Sequence, residues 1–181
     1  MDIDVSGKLI SGHLGGHSGK TNVDEGALDY LIERYGSRSM IDVGCGPGAM
    51  VEMALKKGIE AFGIEGDPEI KNAYIIEHDY TLGPFVAYAD LAWCVEFLEH
   101  VEAKFQDNIF STLKGCMVVF VTHALPGKKG DHHVNCQTEE YWIEAFKANH
   151  FGLDPVATEH VRKASTMKRK FTRRTGKVFV R

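Results

Sequence analysis

The sequence lacks any apolar run of about 18 residues, so nothing in it reads as a membrane-spanning helix. Its opening stretch, MDIDVSGKLISGHLGG, has no apolar centre of the kind a secretory signal needs, which points to a cytoplasmic location. The four cysteines, Cys45, Cys94, Cys116 and Cys136, stand far apart with no C-x-x-C pair. That spacing argues against a zinc ribbon or a disulfide scaffold and suits a reducing compartment. No internal repeat and no Pro/Ser linker divides the chain, whose 181 residues are near the length of one ordinary domain. The composition, 44% hydrophobic and 25% charged, is globular rather than disordered or fibrous.

Charge is unevenly spread. Residues 162–181 hold nine Lys/Arg and no acid, so against the 21 bases and 25 acids of the whole chain the other residues carry 12 − 25 = −13. A basic end on an acidic body suits an anionic partner such as nucleic acid, or a solvated hairpin with a charged outer face.

Residues 1–21 are rich in glycine and poor in core formers and read as an arm or lid, leaving 22–181 as one domain. Apolar residues at helical spacing predict a helix over 23–35, with Asn22 as cap and Gly36 as stop. Strands are expected at 39–43, 61–64, 74–77, 91–95 and 116–122. Helices are expected at 49–57, 101–113 and 138–149, the last capped by Thr138 and burying Trp142 and Phe146. Two final extended pieces, 155–161 and 177–181, close the chain. This alternation predicts an α/β, Rossmann-like three-layer sandwich, with a seven-stranded, mostly parallel sheet ending in an antiparallel hairpin.

The most informative segment is Met40-Ile-Asp-Val-Gly-Cys-Gly-Pro-Gly48, an apolar strand running into alternating glycines with a helix straight after. Glycines there let the chain turn sharply and let a ligand lie against main-chain N–H groups. Glu65 follows Gly44 by 21 residues at the end of the next strand, where an acid accepts hydrogen bonds from ribose hydroxyls. Asp79 and Tyr80 follow the third strand and suit an adenine amino group and ring face. Gly44-x-Gly-x-x-Ala49 also satisfies the dinucleotide fingerprint, but no residues remain for a second mononucleotide half or a substrate domain. Gly15-Gly-His-Ser-Gly-Lys-Thr21 imitates part of a phosphate-binding P-loop, yet Leu14 stands where that pattern needs glycine and no buried strand precedes it.

Asp-Val-Gly-Cys-Gly-Pro-Gly48 resembles motif I of class I S-adenosylmethionine-dependent methyltransferases of the type 11/23 kind. Asp90-Leu-Ala-Trp-Cys-Val-Glu-Phe-Leu-Glu-His-Val101 resembles their fourth motif, in the variant ending Leu-Glu-His-Val. The resemblance implies S-adenosylmethionine as cofactor. Gly44, Cys45 and Gly46 would then pack against its methionyl and ribose portions, with Asp42 fixing the loop or reaching the amino group through water. Glu65, with Gly66 and Asp67 beside it, would take the ribose, and Asp79 with Tyr80 the adenine. Cys94 and Val95 would border the sulfonium.

If the chain turns helical after the fourth strand, Glu96, Glu99 and His100 share one face and suit a divalent ion, magnesium or manganese. A histidine from Gly130-Asp-His-His-Val-Asn135, His132 or His133, completes the set, with His132 taken as the ligand. The arrangement resembles metal-dependent O-methyltransferases, in which the metal lowers the pKa of the acceptor hydroxyl. Without metal, His100 or His133 is the natural general base. The expected acceptor is a small molecule, received between the arm, residues 126–137 and Tyr141/Trp142. The alternatives are 2′-O-methylation of RNA through the basic end, and a non-catalytic cofactor-binding module.

Overall fold

In the computed structural model, which describes residues 14, 16, 17 and 19–181, the first regular element is helix α1 (Glu25–Tyr35). Most of the expected arm, and His13, lie outside the described residues. The N-cap is Asp24 rather than Asn22: its side chain accepts from Ala27 N at 3.3 Å. Gly36 ends the helix in left-handed conformation, φ 65°, its N–H returning to Ile32 O at 2.8 Å.

The sheet then assembles as β1 (Ser39–Val43), β2 (Glu60–Glu65), β3 (Ile75–Glu77), β4 (Ala89–Cys94) and β5 (Cys116–Val121), all parallel. Two antiparallel strands, β6 (Gly152–Leu153) and β7 (Lys177–Val180), finish it in the order β3-β2-β1-β4-β5-β7-β6. Between them run α2 (Ala49–Lys56), α3 (Gln106–Leu113), α4 (Glu139–Ala148), α5 (Pro155–Ala164) and the short α6 (Phe171–Thr175). Side chains alternate across the pleat, so the strands feed two cores. Ile41, Val43 and Cys94 pack with Phe110, Trp142 and Phe146 on one face, while Met40, Trp93 and Phe120 pack with Leu28, Met50 and Val161 on the other. The rings of Phe146 and Phe179 stack with centroids 4.0 Å apart. No helix among the described residues is long and apolar enough to cross a membrane.

Two expected elements differ. The stretch 155–161 is not extended; it lies within α5, because Asp154 caps it through Ala157 N at 2.8 Å and Pro155 occupies its first turn. The hairpin's first limb is therefore Gly152–Leu153. The expected helix 101–113 begins only at Gln106, preceded by 3₁₀ turns at Leu98–His100 and Ala103–Phe105, with Val101 extended between them.

Asp24 ties the ends of the chain together. Fully buried, its carboxylate accepts from Thr166 N at 2.8 Å, Ser165 Oγ at 2.7 Å and Thr172 Oγ1 at 2.6 Å, besides capping α1. Asp24→Ala deprives the buried Thr172 hydroxyl and the part-buried donors of Ser165 and Thr166 of this acceptor, and an unsatisfied buried donor costs about 1–3 kcal/mol. Urea unfolding followed by circular dichroism is expected to show a loss of about 3 kcal/mol or more. A midpoint equal to that of the unsubstituted chain would contradict this role.

Candidate active site at the carboxyl edge of the sheet

The turn out of β1 needs glycine for steric reasons. Gly44 and Gly46 have φ of 71° and 53°, and a Cβ on Gly44 would stand 2.1 Å from the ring of Phe97. Gly44 N and Cys45 N both donate to Ile64 O, at 2.9 and 3.2 Å, which fastens the loop to β2. Glu65 closes it from the other side: its carboxylate accepts from Gly46 N at 2.7 Å and from Asp67 N at 3.0 Å. Beneath lies Asp42, whose carboxyl is pushed up to about 8 by burial and then by the charge of Glu65. Burial also pushes up the thiols of Cys45 and Cys94.

The loop opens onto a cavity of about 620 Å³ along the carboxyl ends of the strands. Asp42, Gly44, Cys45, Gly46, Glu65, Gly66, Asp79, Tyr80, Val95, Glu96, Glu99, His100 and His133 all line it. Asp67, Cys94 and His132 do not. Asp67 pairs with His17 at 3.2 Å, and Cys94 is fully buried in the core. Tyr80 is held with little freedom: its hydroxyl donates to Thr112 Oγ1 at 2.8 Å, since Thr112's own proton goes to Phe85 O. Trp142 lies wholly in the core, and neither it nor Tyr141 lines the cavity.

At the far end, Glu99, His100 and His133 bring one ligand atom each to within 4.8 Å of one another. Glu99 is fully buried; one carboxylate oxygen accepts from Ala124 N at 3.1 Å and the other has no hydrogen-bond partner among the described residues. Burial, then the nearby Glu96, push its carboxyl up to about 8. Its main-chain oxygen accepts from Val134 N and Asn135 N, both at 3.0 Å, and so holds the segment that carries His133 against the pair. This anchoring places His133, rather than the expected His132, beside Glu99 and His100. His133 Nδ1 lies 2.9 Å from Lys128 O, an atom that only accepts, so this nitrogen donates and Nε2 is the ring nitrogen left to act as a ligand atom. His100 is shifted downward by burial and by His133, which favours the neutral imidazole a metal needs. An orphaned buried carboxylate oxygen beside two imidazoles fits a divalent cation.

Glu96 stands apart from this trio. Its backbone is left-handed, φ 52°, held because Thr122 Oγ1 accepts from Glu96 N at 2.9 Å and donates to Glu96 Oε1 at 2.8 Å. Sequence reasoning missed Thr122 and Phe97: a strand-end threonine and an apolar residue between two acids carry no signal of their own. From the expected arm, His17 lies over Gly46, with its side chain 3.2 Å from where a Cβ would be.

No family model matches this chain, and no curated protein matches it by sequence. Solved structures do match by shape. Magnesium protoporphyrin IX methyltransferase from Synechocystis PCC 6803, with bound S-adenosylhomocysteine, superposes with a TM-score of 0.61 at 13% identity, over 87% of this chain and 81% of that one. The chain has a methyltransferase fold. An O-methyltransferase from a trans-AT polyketide synthase of Brevibacillus brevis, in complex with S-adenosylhomocysteine, gives 0.57 at 15% identity, over 78% of this chain and 58% of that one. The methyltransferase domain of bacterial CtHen1-CN gives 0.55 at 15% identity, over 87% and 97%. In this methyltransferase fold the glycine loop after β1 and the acid ending β2 flank one cavity.

Asp42 makes a pH prediction. The unfolded chain releases this proton near 3.8 and the folded chain near 8, so the folded state holds one proton more between those values. Stability therefore falls as pH rises through this window, by at most about 1.4 kcal/mol per pH unit. Asp42→Asn is expected to lose less stability than the unsubstituted chain between pH 5 and pH 8, read as urea midpoints. Parallel pH slopes would refute the assignment.

Proposed function

We propose that residues 22–181 form one S-adenosylmethionine-dependent methyltransferase domain that methylates a hydroxyl oxygen of a small acceptor, assisted by a magnesium or manganese ion. The observation that carries this reading is the buried, unpartnered oxygen of Glu99 beside His100 and His133, in the same cavity as the glycine loop and Glu65. When bound, S-adenosylmethionine supplies an electrophilic methyl group and the divalent ion supplies Lewis acidity that acidifies a hydroxyl.

The chain's own residues do the rest. Gly44 and Gly46 offer main chain without a Cβ, and Glu65 is placed to exchange its hold on Gly46 N for ribose hydroxyls. Glu99, His100 and His133 would hold the ion, with the His133 proton fixed on Nδ1 by Lys128 O. Leu14 and Gly16 reach over Gly66 and His100, respectively, which narrows the path for water. Phe97 sets its ring on Gly44 and tilts against Tyr80, centroids 5.9 Å apart, at the place where a sulfonium meets the glycine loop. The face of such a ring attracts a cation.

Incubation with labelled S-adenosylmethionine, manganese and a panel of hydroxyl compounds is expected to give methyl transfer. EDTA or His133→Ala should remove turnover while S-adenosylhomocysteine still binds by calorimetry. Turnover that survives both changes would sink the metal assignment, and absence of S-adenosylhomocysteine binding would sink the whole reading.

Phe97→Leu keeps apolar bulk but loses the ring. It should weaken S-adenosylmethionine relative to neutral S-adenosylhomocysteine by about three- to thirty-fold, the range of a cation–π contact. Equal weakening of both ligands would reduce Phe97 to packing.

A further inference from the structure

Three cations from two segments of the chain line the cavity. Lys128 and Lys129 come from the loop after β5, and Arg169 from the segment between α5 and α6; all three line the cavity and are exposed. Among the described residues none of them makes an ion pair, whereas Lys57, Lys71, Lys104, Lys147, Arg162 and Lys163 each face an acid. The acids at this end are engaged or face elsewhere. Glu96 is clasped by Thr122, Glu99 is bonded to Ala124 N, and Asp131, on the same rim, acts on His100. The charge of Lys128 is felt at Glu96, an acid lining the same cavity. Lys20 also lines the cavity, but it precedes Thr21, whose hydroxyl donates to Cys45 O at 3.3 Å, and so belongs to the glycine-loop side.

Two separate segments of a chain with net charge −4 thus bring to one cavity three cations that make no ion pair among the described residues. We propose that Lys128, Lys129 and Arg169 bind a phosphate group of the acceptor, so that the substrate is a small phosphorylated compound whose hydroxyl faces Glu99, His100 and His133. A phosphate offers three oxygens and up to two charges to such a cluster, and Arg reads it with two parallel N–H donors. A carboxylate would leave part of the cluster unmatched. This assignment rests on the methyltransferase reading.

The test titrates inorganic pyrophosphate into the S-adenosylhomocysteine-loaded chain by calorimetry, with EDTA present so that no divalent ion bridges the two. One pyrophosphate per chain is expected to bind. Lys128→Gln with Lys129→Gln, and separately Arg169→Gln, should each weaken it about tenfold or more while S-adenosylhomocysteine affinity stays the same. Lys168→Gln with Arg174→Gln, outside the cavity wall, should leave it unchanged. A chain that binds S-adenosylhomocysteine but no pyrophosphate overturns the phosphate site and spares the methyltransferase reading. A chain that binds neither overturns both. Equal weakening by the Lys168/Arg174 pair means a diffuse basic surface and overturns the site. A five-nucleotide RNA binding about a hundredfold tighter than pyrophosphate, and sensitive to Lys168 and Arg174 as well, assigns the wall to nucleic acid and overturns the small acceptor.

Discussion

Everything at the site follows from parallel register. β1 pairs with β2 so that Val43 lies opposite Ile64, and β4 pairs with β5 so that Cys94 lies opposite Val121. The five parallel strands therefore finish at one edge, and the chain must leave each of them there before crossing back, through α2 after β1 and through α3 after β4. The glycine turn, Glu65, the left-handed Glu96 and the run after Val121 are neighbours for that reason alone. An antiparallel sheet of the same residues would scatter them to both ends.

The acids at this edge show what crowding does to charge. Asp42 and Glu99 are both driven toward their neutral forms, chiefly by burial, while Glu65 is bonded to two main-chain N–H groups. A cavity that confines so many carboxyl groups favours cationic occupants. In the proposed function, a sulfonium and a divalent ion would meet that demand from opposite ends of the same space.

Much of this was legible in the residues. The apolar run 39–43 into Gly44-Cys-Gly46 specifies a strand, a turn and a helix in that order, because only glycine tolerates φ near 71° under the ring of Phe97. Glu65 was equally readable, since its distance from Gly44 is the length of one helix and one strand. Periodicity misjudged 155–161, where Ala157 and Val161 alone mark the buried face of α5 and the cap Asp154-Pro155 was the better signal. The choice between His132 and His133 was beyond reach. It turns on two hydrogen bonds to the main-chain oxygen of Glu99, some 35 residues upstream, and no side-chain pattern encodes them.

Asp24 has a bearing on how the molecule comes into being. Its partners Ser165, Thr166 and Thr172 are synthesised long after it, Thr172 being 148 residues later. Until they emerge from the ribosome the carboxylate lacks these donors, and the turn that brings Arg169 and Phe171 to the cavity lacks this anchor. Maturation of the mouth must therefore wait for that segment, and it closes a long loop at an entropic cost.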